Sequence, residues 1–299
     1  MTEHLVETNG IALRVVEEGE GPTIVLCHGF PELAYSWRHQ IPVLAEAGYR
    51  VLAPDMRGYG GSTQPAEVEA YDVLTVGRDI VGLLDAFGEQ EAILIGHDWG
   101  ATVVWHLALT HPERVRAVAG LSVPYAGRPP VPPMAIFRRR LGDDWYQAWF
   151  QQVGPADEAM ARQVRRTVTA TEDWTAEWAA RTDVDPNPSA SWLTEEELAV
   201  FVESLSRSGF SGGLNYYRNI DRNWELTEHL AGRRIAQPAL FVTGGDDIVR
   251  RFMPGTGMER WFDDLRGVVV LEGAGHWIQQ ERPDEVNAAL VRFLRPLHT

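Results

Sequence analysis

Short apolar runs alternate with helix-patterned segments over residues 1–121, and that alternation leaves few folds open. The runs Thr23-Ile24-Val25-Leu26-Cys27 and Ala92-Ile93-Leu94-Ile95 are apolar on both faces, as expected of strands buried from both sides. Residues 50–53 and 115–121 have the same character, and Leu13 and Val15 point to an earlier strand. Between these runs, Trp37, Ile41, Leu44 and Ala45 recur at helical spacing. Val76, Ile80, Leu83, Leu84 and Phe87 form one face of a helix that Gly88 ends, and residues 101–109 form an apolar helix stopped by His111-Pro112. Strands separated by helices predict an α/β protein with a mostly parallel sheet covered on both faces.

The pattern changes after Tyr125. Residues 128–133 form a Pro-rich linker, and up to about Asn223 polar helical segments dominate. Trp145, Trp149, Trp174, Trp178 and Trp192 fall here and are expected to pack this insertion onto the core. Residues 239–242 and 268–271 predict two more buried strands. A last helix follows Pro283, with Val286, Leu290, Phe293 and Leu294 on one face. The expected division is a core over residues 1–126, a helical cap over 127–226, and the rest of the core over 227–299.

Composition narrows the chemistry. All 27 basic residues are Arg, so Schiff-base catalysis and the Lys of a phosphate-binding loop are excluded. Against 42 acidic residues they leave a formal charge of −15, which disfavours nucleic acid and anionic membrane and is neutral toward an uncharged small molecule. Cys27, the one cysteine, reads as a small buried strand residue. The N-terminal residues lack a signal-peptide pattern, and no run of about 20 apolar residues exists, so a cytoplasmic protein is expected. No metal or cofactor motif is present, and oligomeric state has no signature in the sequence.

The most informative segment is Ile95-Gly96-His97-Asp98-Trp99-Gly100-Ala101. It reads strand, tight turn, helix, the layout of a nucleophile elbow with Asp98 where a Ser often stands. The amides that open the next helix favour an ionised carboxylate there. The bland reading is that Asp98 merely caps the helix. Other residues weigh against it. His28-Gly29-Phe30-Pro31-Glu32 follows a buried strand, where this layout places an oxyanion-hole amide, so the backbone N–H groups of Phe30 and Trp99 would face the Asp98 carbonyl oxygen. Asp246-Asp247 and Gly275-His276-Trp277 each follow a later strand. The order nucleophile, acid, histidine is that of this triad.

These residues, with Asp55-Met56-Arg57-Gly58-Tyr59-Gly60 and Glu281-Arg282-Pro283, make the chain resemble the epoxide hydrolases of the α/β-hydrolase fold, close to the catalytic domain of the soluble ones. In the insertion, Trp145-Tyr146-Gln147-Ala148-Trp149-Phe150-Gln151 and Leu214-Asn215-Tyr216-Tyr217-Arg218-Asn219 resemble that family's two tyrosine motifs. The resemblance implies that Asp98 attacks an epoxide carbon, that Tyr146 and Tyr217 protonate the ring oxygen, and that His276, oriented by Asp247, activates water against the ester. Asp247 fits the family acid better than Asp246, because Ile248-Val249 follows it, but Asp246 stays an alternative. His28, Pro31, Gln147, Phe150 and Trp277 are expected to line the pocket. The implied partners are an epoxide and water.

Two rivals remain at this level. Haloalkane dehalogenases share the Asp nucleophile and His base, and Trp99 would suit them. They commonly place Asn after the His-Gly pair, where this chain has Phe30, and the two tyrosines favour an epoxide. A non-catalytic receptor on the same fold would be expected to lose part of the triad.

Overall fold

The apolar runs all enter one eight-stranded sheet in a computed structural model that describes residues 1–170, 174–181, 190 and 192–297. Its strands are β1 (Thr2–Thr8), β2 (Ile11–Glu18), β3 (Thr23–Cys27), β4 (Arg50–Pro54), β5 (Ala92–His97), β6 (Val115–Leu121), β7 (Ile235–Gly244) and β8 (Phe262–Leu271). They lie in the order β1-β2-β4-β3-β5-β6-β7-β8. β2 runs antiparallel to both β1 and β4, and every pair from β4 to β8 is parallel.

Alternation along the central strands supplies two cores. Val25 and Leu94 face one side, where α2 (Val73–Ala86) and α3 (Trp99–Thr110) pack through Val76, Ile80, Val104 and Leu107. Ile24, Leu26, Ile93 and Ile95 face the other, against Ile41 and Leu44 of α1 (Gln40–Glu46) and against Val286, Leu290 and Leu294 near the C-terminus. Each fully buried Leu or Ile there contributes about 1.5–3 kcal/mol over leaving it in water.

Three strand expectations need correction. β1 was not foreseen, because the strand is mostly polar and exposed, with His4 and Val6 only half-buried. β7 runs longer than its apolar run. The 268–271 run is a strand but not a buried one: Val268 is 51% and Val270 37% exposed, because β8 is a sheet edge with one face open.

Between β6 and β7 the described residues form helices only: α4 (Pro133–Leu141), α5 (Tyr146–Phe150), α6 (Pro155–Arg162), α7 (Val164–Val168), α8 (Ala176–Ala180), α9 (Glu195–Ser208), α10 (Ser211–Arg218) and α11 (Ile220–Leu226). They are fastened to the core through named bonds. Tyr216 Oη donates to Arg57 O at 2.9 Å, Asn219 Nδ2 to Val68 O at 2.6 Å, and Arg38 Nε to Glu197 Oε1 at 2.6 Å. The tryptophans expected to pack here do so. Trp145, Trp149 and Trp178 are buried, Trp174 meets Phe30 edge-on at 5.5 Å, and Trp192 stacks on Trp277 at 5.8 Å. After β8 come α12 (Ile278–Glu281) and α13 (Pro283–Leu294). Among the described residues no helix is long and apolar enough to cross a membrane.

Candidate active site

Asp98 sits between β5 and α3 with φ 51° and ψ −118°, a conformation that costs a non-glycine residue about 1–3 kcal/mol. The turn closes only because its flanks lack side chains. A Cβ at Gly96 would lie 2.2 Å from Gly100 O, and one at Gly100 would lie 2.0 Å from Cys27 O. Asp98 occupies the cap position of α3, yet its side chain makes no capping bond. Its Oδ1 accepts instead from the Phe30 N–H at 2.8 Å, from the loop after β3. The capping reading of Asp98 therefore fails. Trp99 follows as the first residue of α3, its ring edge-on to Tyr217 at 5.1 Å.

His276 reaches the same carboxylate from the loop after β8. Its Nε2 lies 3.5 Å from Asp98 Oδ2, and its Nδ1 lies 3.0 and 3.1 Å from the two oxygens of Asp247. Asp247 is thus the carboxylate at the imidazole, while Asp246 lines a cavity beside it. Burial works to lower the pKa of His276, but Asp247 and then Asp98 outweigh it and hold the imidazole well above its ordinary value.

The two tyrosines come from α5 and α10. These short helices are tied together: Arg218 Nε donates to Phe150 O at 3.1 Å and Gln151 Nε2 to Tyr217 O at 2.9 Å. Tyr146 and Tyr217 are both buried, with ring centroids 6.0 Å apart. Burial pushes the Tyr217 phenol well above its usual pKa, and the negative charge of Asp98 adds to the shift, so it stays a proton donor. Gln147 Nε2 donates to Tyr146 Oη at 2.7 Å.

Asp98, Tyr146 and Tyr217 line two cavities at once. One, of about 380 Å³, runs along α3 toward Tyr125, Phe137 and Phe252 and is mostly apolar; Gln147 lines it. The other, of about 790 Å³, is bounded by Phe30, His276, Trp277 and Asp246.

The other residues expected to line the pocket lie elsewhere. His28 is fully buried behind the site: its Nδ1–H donates to Gly29 O at 2.9 Å and its Nε2 accepts from Met56 N at 2.9 Å. Burial lowers its pKa, consistent with that neutral tautomer. It braces the loop and lines neither cavity. Pro31, after a cis Phe30–Pro31 bond, is buried in the same loop. Phe150 packs behind, against Phe30 at 6.0 Å and Tyr217 at 5.1 Å.

Several supporting groups carried no message alone in the sequence. Glu281 Oε2 accepts from Gly275 N at 2.6 Å and its Oε1 from Trp277 N at 2.9 Å, gripping the amides on either side of His276. His97 Nε2 and Ser122 Oγ both meet the His276 carbonyl, at 2.8 and 2.6 Å. His97 Nδ1 lies 2.6 Å from Glu32, which also accepts from Gln279 and Gln280. Burial opposes ionisation of Glu32, but His97, then His28 and the Gly29 N–H, bring its pKa to about 2. Glu32, His97 and Glu281 all stand inside the quoted motifs. Their partners lie far off in sequence, so only the fold pairs them.

An acid on a strained strand-to-helix turn, an amide facing it from after β3 and a His–Asp pair from the last loops define a hydrolase of the α/β class. A family model for the alpha/beta hydrolase fold matches residues 22–283. Epoxide hydrolase A of Mycobacterium tuberculosis (strain ATCC 25618 / H37Rv) is 49% identical over 99% of this chain and 98% of its own. Bifunctional epoxide hydrolase 2 of Mus musculus is 43% identical over 96% of this chain, which spans 54% of that protein. The crystal structure of epoxide hydrolase A from Mycobacterium thermoresistibile superposes with a TM-score of 0.91 at 50% identity, covering 98% of each chain. The chain belongs to the epoxide hydrolases of the α/β hydrolase family.

Proposed function

We propose that this protein converts an epoxide and water to a vicinal diol through an ester on Asp98. The observation that carries the reading is the convergence on one cavity of the Asp98 carboxylate, two phenols and the His276 imidazole, which Asp247 holds from behind. Oδ1 is engaged by the Phe30 amide, so Oδ2 is the attacking atom. It forms a bond to an epoxide carbon as the C–O bond of the ring breaks, and Tyr146 and Tyr217 give the ring oxygen its proton.

The ester then turns over. His276 takes a proton from water, whose oxygen adds to Asp98 Cγ. The negative charge develops on Oδ1, facing the Phe30 N–H, and the Trp99 amide at the start of α3 is the second donor in this reading. The bond between Cγ and Oδ2 breaks, His276 returns a proton to the departing alkoxide, and the diol leaves carrying Oδ2. Asp247 holds the imidazole with Nε2 toward the ester. Residues 127–226 serve as the cap, because they bring both phenols over Asp98.

Halide release needs N–H donors and no proton, so paired phenols favour the epoxide over the haloalkane. An intact triad disfavours a receptor. With one buried cysteine and no disulfide in the chain, the reading includes a cytoplasmic location. Incubation with styrene oxide, a haloalkane and a nitrophenyl ester tests the assignment. Diol alone supports it, and halide or nitrophenol without diol refutes it.

A further inference from the structure

Among the polar residues lining the mostly apolar cavity along α3, two that the reaction does not use stand side by side. His106 and Tyr125 both line it. Asp98, Trp99, Thr102 and His106 share one face of α3, and His106 stands eight residues beyond the nucleophile, about 12 Å along the helix. Its Nδ1 lies 2.7 Å from the Thr102 carbonyl and must donate to it. In the neutral ring this leaves Nε2 as a lone-pair acceptor, and burial favours that neutral ring. Nε2 has no partner among the described residues. The Tyr125 ring stands edge-on to His106 at 6.3 Å. Its hydroxyl also has no partner among the described residues, and burial pushes its pKa up to about 12, which keeps the proton on.

An acceptor and a donor, side by side and unspent on one wall of the cavity, match a group that donates and accepts. We propose that His106 and Tyr125 form a subsite for a hydroxyl carried on the substrate chain, remote from the epoxide ring. The hydroxyl donates to His106 Nε2 and accepts from Tyr125 Oη–H. At His106 Nε2 a carboxylate oxygen would meet a lone pair, whereas a hydroxyl brings a proton. An unsubstituted chain leaves both polar groups dry, at a cost that a hydroxyl removes. The inference rests on the epoxide hydrolase reading and names a substrate feature within it.

The test pairs straight-chain terminal epoxides with analogues that carry a hydroxyl stepped along the chain. Turnover of the plain epoxide tests the activity, and the ratio of the two kcat/KM values tests the subsite. At one chain position the hydroxylated epoxide is expected to be about 5- to 10-fold better, the effect of one or two neutral hydrogen bonds. Tyr125→Phe keeps the ring and should erase most of that preference, His106→Leu all of it, and the plain epoxide should be turned over as well or better, because no polar group is then left dry beside its chain. As a readout independent of turnover, the His106 Nε2 resonance in 15N NMR should shift when an unreactive long-chain diol binds and stay put with a matched thioether. No preference at any position, equal losses on both substrates, or a resonance indifferent to the diol would overturn the subsite and leave only water between the two groups.

Discussion

The two carboxylate oxygens of Asp98 face different partners: Oδ1 meets the Phe30 N–H at 2.8 Å, and Oδ2 lies 3.5 Å from His276 Nε2. In the proposed mechanism Phe30 and His276 thus divide one side chain between an oxyanion site and a base. The same atoms can serve two steps in turn, because the oxygen that attacks is not the one that later carries the negative charge.

Removing the base should separate those steps. His276→Ala is expected to form the Asp98 ester but hydrolyse it about 10³-fold more slowly, within the usual reach of general-base catalysis. Intact-protein mass spectrometry would then find a species heavier by the mass of the epoxide. A variant that never accumulates this adduct contradicts the role given to His276.

The electrostatics of His276 predict a pH effect with a definite sign. In the free enzyme its pKa is held well above the ordinary value against burial, by Asp247 and then by Asp98. Esterification neutralises Asp98 and removes part of that hold, so the pKa falls in the intermediate. A base must be unprotonated, so ester hydrolysis should rise with pH, with a midpoint below that of free-enzyme His276 titrated by NMR. An equal or higher midpoint would contradict the coupling.

Tyr146→Phe and Tyr217→Phe should each slow ester formation by about 10- to 100-fold, and the double variant by at least about 10³-fold. Stopped-flow tryptophan fluorescence can follow this step. Hydrolysis of an ester already formed should change little, since the phenols act on the ring oxygen. Normal alkylation in the double variant would remove the phenols from the mechanism.

Glu281 holds the amides of Gly275 and Trp277. Glu281→Ala leaves both without that acceptor and is expected to cost about 1–3 kcal/mol of stability. It should slow ester hydrolysis by about tenfold while slowing alkylation less, because it loosens the base and not the nucleophile. A thermal melt and the two single-turnover rates check both parts.

The central sheet was legible because β3 and β5 are buried on both faces and so carry unbroken apolar runs, Ile24 to Cys27 and Ala92 to Ile95. β1 was not, since a strand open on one side shows a weaker pattern, and the 268–271 run of β8 was read as a strand but wrongly as a buried one. In the site, Asp98, Phe30, Asp247 and His276 stand at turns whose neighbours announce them. His28 was expected in the pocket, yet its ring turns back to Met56. Direction of that kind is set by tertiary contacts, as are the grip of Glu281 on the base loop and the Glu32–His97 pair.

Isotope transfer tests the covalent account most directly. In a single turnover in 18O-water with enzyme in excess, the diol should contain no solvent oxygen, and the label should appear in the peptide bearing Asp98. Label in that first diol, with Asp98 unlabelled, would show that water opens the ring directly.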